Sequence, residues 1–482
     1  MGEIDPGSAG EGRPGGYREV LRVAWPLIVS MGSFTLMQFC DRLFLARYSL
    51  AAIQAALPAG ILSFTLIGGF MALAGYAGTF VSQYHGAGDR PACARATAQG
   101  IWLAVASWPL ILALTPLGFA ALRASGHPPE VLALERSYFG ILMAGGIAVP
   151  LNAALSGFFS GRGDTRTTMI ASLIGNVANV VLDYLMIFGR GGFPRWGIAG
   201  AAVASVIAGF VSTAYLAALY FSRTIHAAHA TRSHLRPEPA LMRRLLRFGM
   251  PSAVHLVLDV GSFTLFCLWM GRLGGEALAA SNIALSINNL AFMPLMGIGM
   301  AASILVGRYQ GAREPAAARR SGWTSLWIGL MYMGVVGATF LLMPGAYFAL
   351  FAGTGDDAAA IEALLPMGRW LLVMMAAWGL FDAANVIVSG ALRGSGDTRF
   401  VMWYSVAMAW VFWIAGEAVI LFAWGGGLIA SWVWMVAYVI LLAVGFVRRF
   451  AGTRWQSIDL LGRGESPLPP AHPGAEAGMV KE

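Results

Sequence analysis

The sequence predicts an all-α integral membrane protein with twelve transmembrane helices in two six-helix bundles, related as parallel repeats. Three observations lead there: long uncharged apolar runs, a lopsided distribution of arginine, and a repeat in which the second half echoes the first. The first is compositional. Of 482 residues, 57% are hydrophobic and only 12% charged, about half the charge of an ordinary soluble domain. A water-soluble shell that thin could not cover so much apolar surface, whereas lipid is itself an apolar solvent. The 61 glycines suit close helix contacts within lipid.

The apolar runs between charge clusters reach the ~20 residues needed to cross a bilayer core. They predict spans at 17–47, 54–84, 95–119, 132–160, 166–189, 197–222, 247–271, 277–308, 322–350, 361–392, 399–424 and 427–447. Several exceed the minimum, so tilts or kinks are expected. The first sixteen residues are polar and lack a signal-peptide pattern, so span one is expected to act as an uncleaved signal anchor. The tail 451–482 is rich in Pro, Gly and Glu and is expected to be disordered.

The second observation sets orientation. Net charge is +8, which alone would allow a nucleic-acid partner, but the basic residues sit between hydrophobic spans. With the N-terminus inside, 24 of the 32 basic residues fall in inside segments. The connector alone holds Arg223, Arg232, Arg236, Arg243, Arg244 and Arg247. The other eight are Arg42, Arg47, Arg123, Arg136, Arg190, Arg195, Arg272 and Arg369. This bias predicts a multi-pass protein of the cell (inner) membrane with both termini cytoplasmic and no nucleic-acid partner. Cys40, Cys93 and Cys267 show no paired spacing, so neither a disulfide nor a cysteine metal site is expected.

The third observation is internal. Gly-Arg-Gly-Asp-Thr-Arg at 161–166 returns as Gly-Ser-Gly-Asp-Thr-Arg at 394–399, with Asn152 and Gly157 matched by Asn385 and Gly390. Gln-Tyr-His-Gly-Ala at 83–87 returns as Arg-Tyr-Gln-Gly-Ala at 308–312, and Pro26 is matched by Pro251. The expected organisation is a tail at 1–16, a first bundle at 17–222, a connector at 223–246, a second bundle at 247–450 and the tail from 451. Six spans per copy is even, so the copies enter from the same side. Two facing bundles enclose a central cavity that rocking exposes alternately, which favours transport over catalysis. The Gly-x-Gly-Asp-Thr-Arg loops read as tight turns with Asp capping the next helix. No nucleotide-binding, zinc or nucleophile motif is visible, so neither enzyme activity nor a cofactor is expected.

A carboxylate within a span costs about 3 kcal/mol on insertion scales and calls for a reason. Asp41 lies in span one. Asp183 lies in span five, one helical turn after Asn179, with Asn176 near the same face. Asp259 lies in span seven one turn after His255, Asp382 in span ten and Glu417 in span eleven. Asp41, Asn179 and Asp183 can converge to hold a sodium ion, or a carboxyl there can carry a proton. The opposing reading makes each acid a partner of an arginine or a polar helix contact. Arg42 does not serve Asp41, because helix neighbours point about 100° apart. Glu417 has no evident partner in its span. His255 is either a satisfied core histidine or a proton relay with Asp259.

These residues resemble the multidrug and toxic compound extrusion (MATE) family over about residues 17–450. The resemblance rests on Asp41, the 83–87 segment, Gly157–Arg166, Asn-Val-Ala-Asn-Val-Val-Leu-Asp-Tyr at 176–184, Gly-Ile-Ala-Gly-Ala-Ala-Val-Ala-Ser at 197–205, and Asp-Ala-Ala-Asn-Val-Ile-Val-Ser-Gly-Ala-Leu-Arg-Gly at 382–394. It implies a V of two six-helix lobes that exports cationic, lipophilic drugs in exchange for Na+ or H+, as a monomer. It implies an N-lobe cation site at Asp41, Asn179 and Asp183, with Ser205 where the family usually has Thr. It also implies a C-lobe site at Asp259, where Glu is commoner, and Asp382. The alternative is a lipid-linked oligosaccharide flippase of the same superfamily, which would need positive charge in its cavity.

Overall fold

The computed structural model describes residues 13–270, 275–349 and 356–463, including their side chains except at 275–278 and 356–363. Every regular element among them is helical. The first half comprises α1 (Tyr17–Tyr48), α2 (Leu50–Gly75), α3 (Ala77–Gly86), α4 (Arg90–Ala124), α5 (Pro129–Ala144), α6 (Ala148–Gly161), α7 (Thr165–Phe188) and α8 (Ile198–Tyr220). A short α9 (Arg223–His229) leads to the second half: α10 (Pro239–Met270), α11 (Gly275–Gly311), α12 (Pro315–Leu342), α13 (Pro344–Ala349) and α14 (Asp356–Ser395), then α15 (Thr398–Val406), α16 (Ala415–Ala418) and α17 (Leu428–Ala451).

Eleven of the described helices or helix runs are long and apolar enough to cross a membrane, and counting bent α5–α6 as one span gives twelve. That pair, expected as one continuous span over 132–160, breaks by 43° around Gly145. A Cβ at Gly145 would strike the Val206 side chain of α8, so the glycine there lets α8 approach. The span at 399–424 is also irregular. Beyond α15 it runs through π-helical turns at Ala407–Ile414 and Val419–Ala423, on either side of the short α16 that carries Glu417.

Each half has its own core, and the first helix of each half also packs on the other. Val20, Val23, Ala24 and Leu27 of α1 belong to the apolar cluster of the second half, while further along Ser33 of α1 accepts from Asn176 of α7 (2.8 Å). In the same way Leu241 and Leu245 of α10 join the cluster of Tyr76, Phe80 and Tyr84, and Phe248 meets the Phe80 ring edge-on.

The end bearing the basic loops is sealed. Gln83 donates to the Gly394 carbonyl (3.0 Å) and Tyr76 to the Arg393 carbonyl (3.1 Å). Glu19 of α1 accepts from Tyr309 of α11 (2.7 Å) and lies 3.8 Å from Arg308. Toward the other end the contacts between halves described along α2 and α10 reach Gly68–Leu256 and Gly69–Val257. Beyond them Phe34, Leu36, Phe39, Leu57, Phe64, Phe263 and Leu268 are exposed. The result is a V closed at its basic end.

Two loop expectations meet the structure differently. Asp164 caps α7, accepting from the Thr167 N–H (3.2 Å) and hydroxyl (2.7 Å). Asp397, its repeat partner, makes no side-chain cap on α15 and instead accepts from Arg449 Nε (2.6 Å). The polar connector is folded rather than loose: it contains α9, buries His229 and Thr231, and α10 starts at Pro239, eight residues before the expected span.

The tail expected to be disordered from 451 is ordered as far as 463. It forms a 3-10 turn at Arg454–Ser457, with Trp455 fully buried and stacked on Phe450 (4.8 Å), and it buries Leu460 and Leu461. Composition alone missed these three apolar residues, whose burial offsets the cost of ordering the backbone. From 464 on, the expectation falls outside the described residues.

Candidate functional site

In the first half, α1 and α7 pack side by side and bring Asp41 and Asp183 close enough for each carboxylate to feel the other's charge. Asp183 and Asn179 are buried at 0% and 1% exposure, on one face of α7 as their spacing requires. The Asn179 amide bridges α7 and α8. The orientation that satisfies every group sets its nitrogen 3.1 Å from Asp183 Oδ2, and its oxygen 3.2 Å from Ser205 Oγ and 3.3 Å from the Ser205 N–H. Tyr138 of α5 faces both carboxylates. One oxygen each of Asp41 and Asp183 is buried with no hydrogen-bond partner. Arg42, set aside on helix geometry, does bring its charge to Asp41 and Tyr138, but it makes no hydrogen bond to either of these oxygens, and two unpartnered buried carboxylate oxygens are expensive unless a cation or proton joins them. With the Asn179 oxygen taken by Ser205 and its nitrogen turned to Asp183, the oxygens left for a ligand are those of the two carboxylates, which suit a hard cation such as Na+ and equally a shared proton.

The second half holds a looser arrangement. Asp382 of α14 and Asp259 of α10 lie within reach of each other's charge, with Tyr438 of α17 facing both. Asp259 also faces Arg393, whose charge reaches His255. Asp259 is exposed. A narrow slot beside it is lined by His255, Leu258, Ser405 and Trp410. His255 and Asp259 thus line one slot, Asp382 lies within reach of the Asp259 charge, and Arg393 stands among them.

The other polar residues of the spans separate. Asn152 donates to Ser212 Oγ (2.9 Å), tying α6 to α8, and its repeat partner Asn385 donates to the Val439 carbonyl (3.3 Å), tying α14 to α17. Both brace the fourth span of their half against the sixth, although Asn385 also sits against Asp382. Asn176 ties α7 to α1 through Ser33. Glu417 is fully buried beside Ser431 of α17, away from the acid pairs.

Sequence reasoning passed over Tyr138, Tyr438, Arg393 and Glu135. Glu135, fully buried one turn before Tyr138, is 2.7 Å from His127 Nδ1. Arg393 was counted with the loops, although the repeat offered a signal: in register, Ser160 occupies its place in the first half.

A bundle of membrane-crossing helices with a sealed end, an open end and buried carboxylates within each half defines a multi-pass membrane transporter rather than an enzyme. The family model MatE matches residues 26–185 and 251–419, once in each half, and the chain belongs to that family. It is 31% identical over 460 residues to the probable multidrug resistance protein NorM of Pseudomonas putida, covering 92% of this chain and 96% of that one. It is 27% identical over 450 residues to the probable multidrug resistance protein NorM of Thermotoga maritima, covering 92% and 94%. Among solved structures, a MATE in complex with MaL6 superposes with a TM-score of 0.80 at 20% identity, over 91% of this chain and 97% of that chain. An outward-facing multidrug resistance MATE family transporter gives 0.81 at 20% identity, over 91% and 96%.

Proposed function

We propose that this transporter exports cationic, lipophilic drugs in exchange for Na+ or H+, the reading that the multidrug resistance names of its relatives favour. The observation that carries it is the pair of unpartnered buried carboxylate oxygens on Asp41 and Asp183, with Asp183 joined to Ser205 through Asn179. In this reading the units 17–222 and 247–450 rock against each other, and the basic end is cytoplasmic, as the arginine bias suggests. The conformation described here is then outward-open, with both termini on the cytoplasmic side of the cell membrane. A cation arriving at Asp41, Asn179 and Asp183 alters the packing of α1 on α7 and α8 and lowers drug affinity in the cleft. It acts only to the extent that it binds one conformation better than the other, and a near-complete switch needs roughly 5 kcal/mol of differential affinity. Asp259 and Asp382 give the second half a cation site of its own, or a negative face for a cationic drug.

An oligosaccharide-lipid flippase would need net positive charge in the cleft for a diphosphate. Arg393 is the cation close to the acid pair there, and it faces Asp259, which favours cationic cargo. The test uses proteoliposomes with imposed Na+ or pH gradients and a cationic dye. Asp41→Asn should abolish gradient-driven efflux while detergent-solubilised protein elutes and melts as before. Undiminished transport by that variant would reject the first-half site, and whichever gradient drives the unmodified protein names the coupling ion.

A further inference from the structure

The ordered part of the C-terminal tail spans the sealed end from one half to the other. Trp455 anchors it in the second half: fully buried, stacked on Phe450, with its indole N–H donating to the Phe450 carbonyl (2.8 Å). Gln310 of α11 donates to the Gln456 carbonyl (2.6 Å). The chain then crosses Gly396, whose φ of +99° sets the turn between α14 and α15, and against which Ile458 and Leu460 pack. Leu460 and Leu461, at 0% and 7% exposure, enter the apolar cluster of Tyr76, Phe80, Val81 and Tyr84 in the first half, together with Leu241 and Leu245 of α10. Arg244 donates to the Leu461 carbonyl, and Arg463 brings its charge to Tyr84. Tyr84 and Gln310 belong to the two copies of the repeated motif that meet across the seal.

We propose that residues 454–463 are a latch holding the two halves together at the basic end, and that its release is required before that end opens. The inference rests on the reading that transport opens this end. A strap anchored in the second half by a buried tryptophan, with two leucines buried in a cluster that α10 and the first half build together, cannot keep all its burial while the halves separate. Opening must uncover part of Leu460 and Leu461 or pull Trp455 from Phe450, and either biases the equilibrium toward the sealed state. The segment thereby sets how often the basic end opens without touching cation or drug.

The experiment measures the two populations directly, without drug or ion gradient, so its outcome is separate from that of the efflux test. Spin labels at Arg90→Cys and Ala316→Cys, one on each half at the basic end, go into a chain whose Cys40, Cys93 and Cys267 are replaced by alanine. Pulsed dipolar spectroscopy in lipid nanodiscs then reads the distance between the halves. The combined Leu460→Asp and Leu461→Asp variant, and a chain ending at Thr453, should each raise the ratio of separated to apposed halves by roughly tenfold. Leu460→Ile with Leu461→Ile should keep the native distribution. Leu461→Ala, which trims one side chain, should shift the ratio in the same direction by less. An unchanged distribution in the shortened chain, or in Leu461→Ala should the shortened chain not fold, overturns the latch.

Discussion

Gly86 lies against the backbone carbonyl of Arg308, and their repeat counterparts meet reciprocally: Gly311 lies against the carbonyl of Gln83. The seal at the basic end is therefore a pseudo-two-fold contact made by two copies of one motif, Gln83-Tyr-His-Gly-Ala and Arg308-Tyr-Gln-Gly-Ala. An isologous contact of this kind repeats each pairing across its axis. Neither position leaves room for a Cβ.

Gly86→Ala should consequently weaken the seal. The added methyl must push α11 away, a strain of about 1–3 kcal/mol, placed on the closed state alone. Cysteine accessibility at Ser82→Cys, a site that packs on Gly307, should rise several-fold toward a membrane-impermeant maleimide, while Gly334→Ala, with open space around it, should leave labelling unchanged.

Asn179 is the hinge of the first-half site, serving Asp183 and Ser205 at once. Asn179→Ala removes a neutral donor from Asp183 and leaves Ser205 without its acceptor, which should weaken cation binding by about tenfold. Ser205→Ala, losing one hydroxyl that Asn179 can do without, should cost less. Cation-dependent quenching of intrinsic tryptophan fluorescence would rank the two variants.

Arg449 is the side chain that neutralises Asp397, which is only 6% exposed. Removing one member of such a pair strands the other charge, so Arg449→Ala should lower stability by about 3 kcal/mol. Adding Asp397→Asn should recover part of the loss, because the stranded charge is then gone. Thermal unfolding in detergent gives both numbers, and additive losses would contradict the pairing.

His229, outside the spans, is packed edge-on against Phe158 (5.4 Å) with Arg162 Nη1 3.4 Å from its Nε2. Burial first, and then the Arg162 and Arg90 charges, pull its imidazole down to about 4 from the usual 6.5. The folded state therefore prefers neutral His229, and this stability, complete above pH 6.5, is lost as pH falls from 6.5 to 4. Relative to the intrinsic exchange rate at each pH, protection of residues 223–234 should fall over that window. His229→Gln should remove the part of this loss of protection that His229 contributes.

The helices, their number and the two-copy plan were legible in the sequence because each follows from local rules. A span needs about twenty apolar residues, and a repeated motif such as Gly-x-Gly-Asp-Thr-Arg needs only comparison within the chain. The acids could also be singled out one by one, since a carboxylate within a span carries its cost wherever it points. In repeat register Asp41 corresponds to Phe266 and Asp259 to Phe34, so these acids stand where the halves differ.

What tertiary structure alone decided is which of these residues meet. Asn152 and Asn385 look like site residues in a list of intramembrane polar groups, yet each bonds its own sixth span, because packing brings α8 to α6 and α17 to α14. Tyr138 and Arg393 joined the acid pairs through contacts far away in sequence, which no local pattern encodes. The tail's burial is decided in the same way. Trp455, Leu460 and Leu461 are too few to signal an element by periodicity, and they order only because the sealed halves present Phe450 and the Tyr76–Tyr84 face for them to cover.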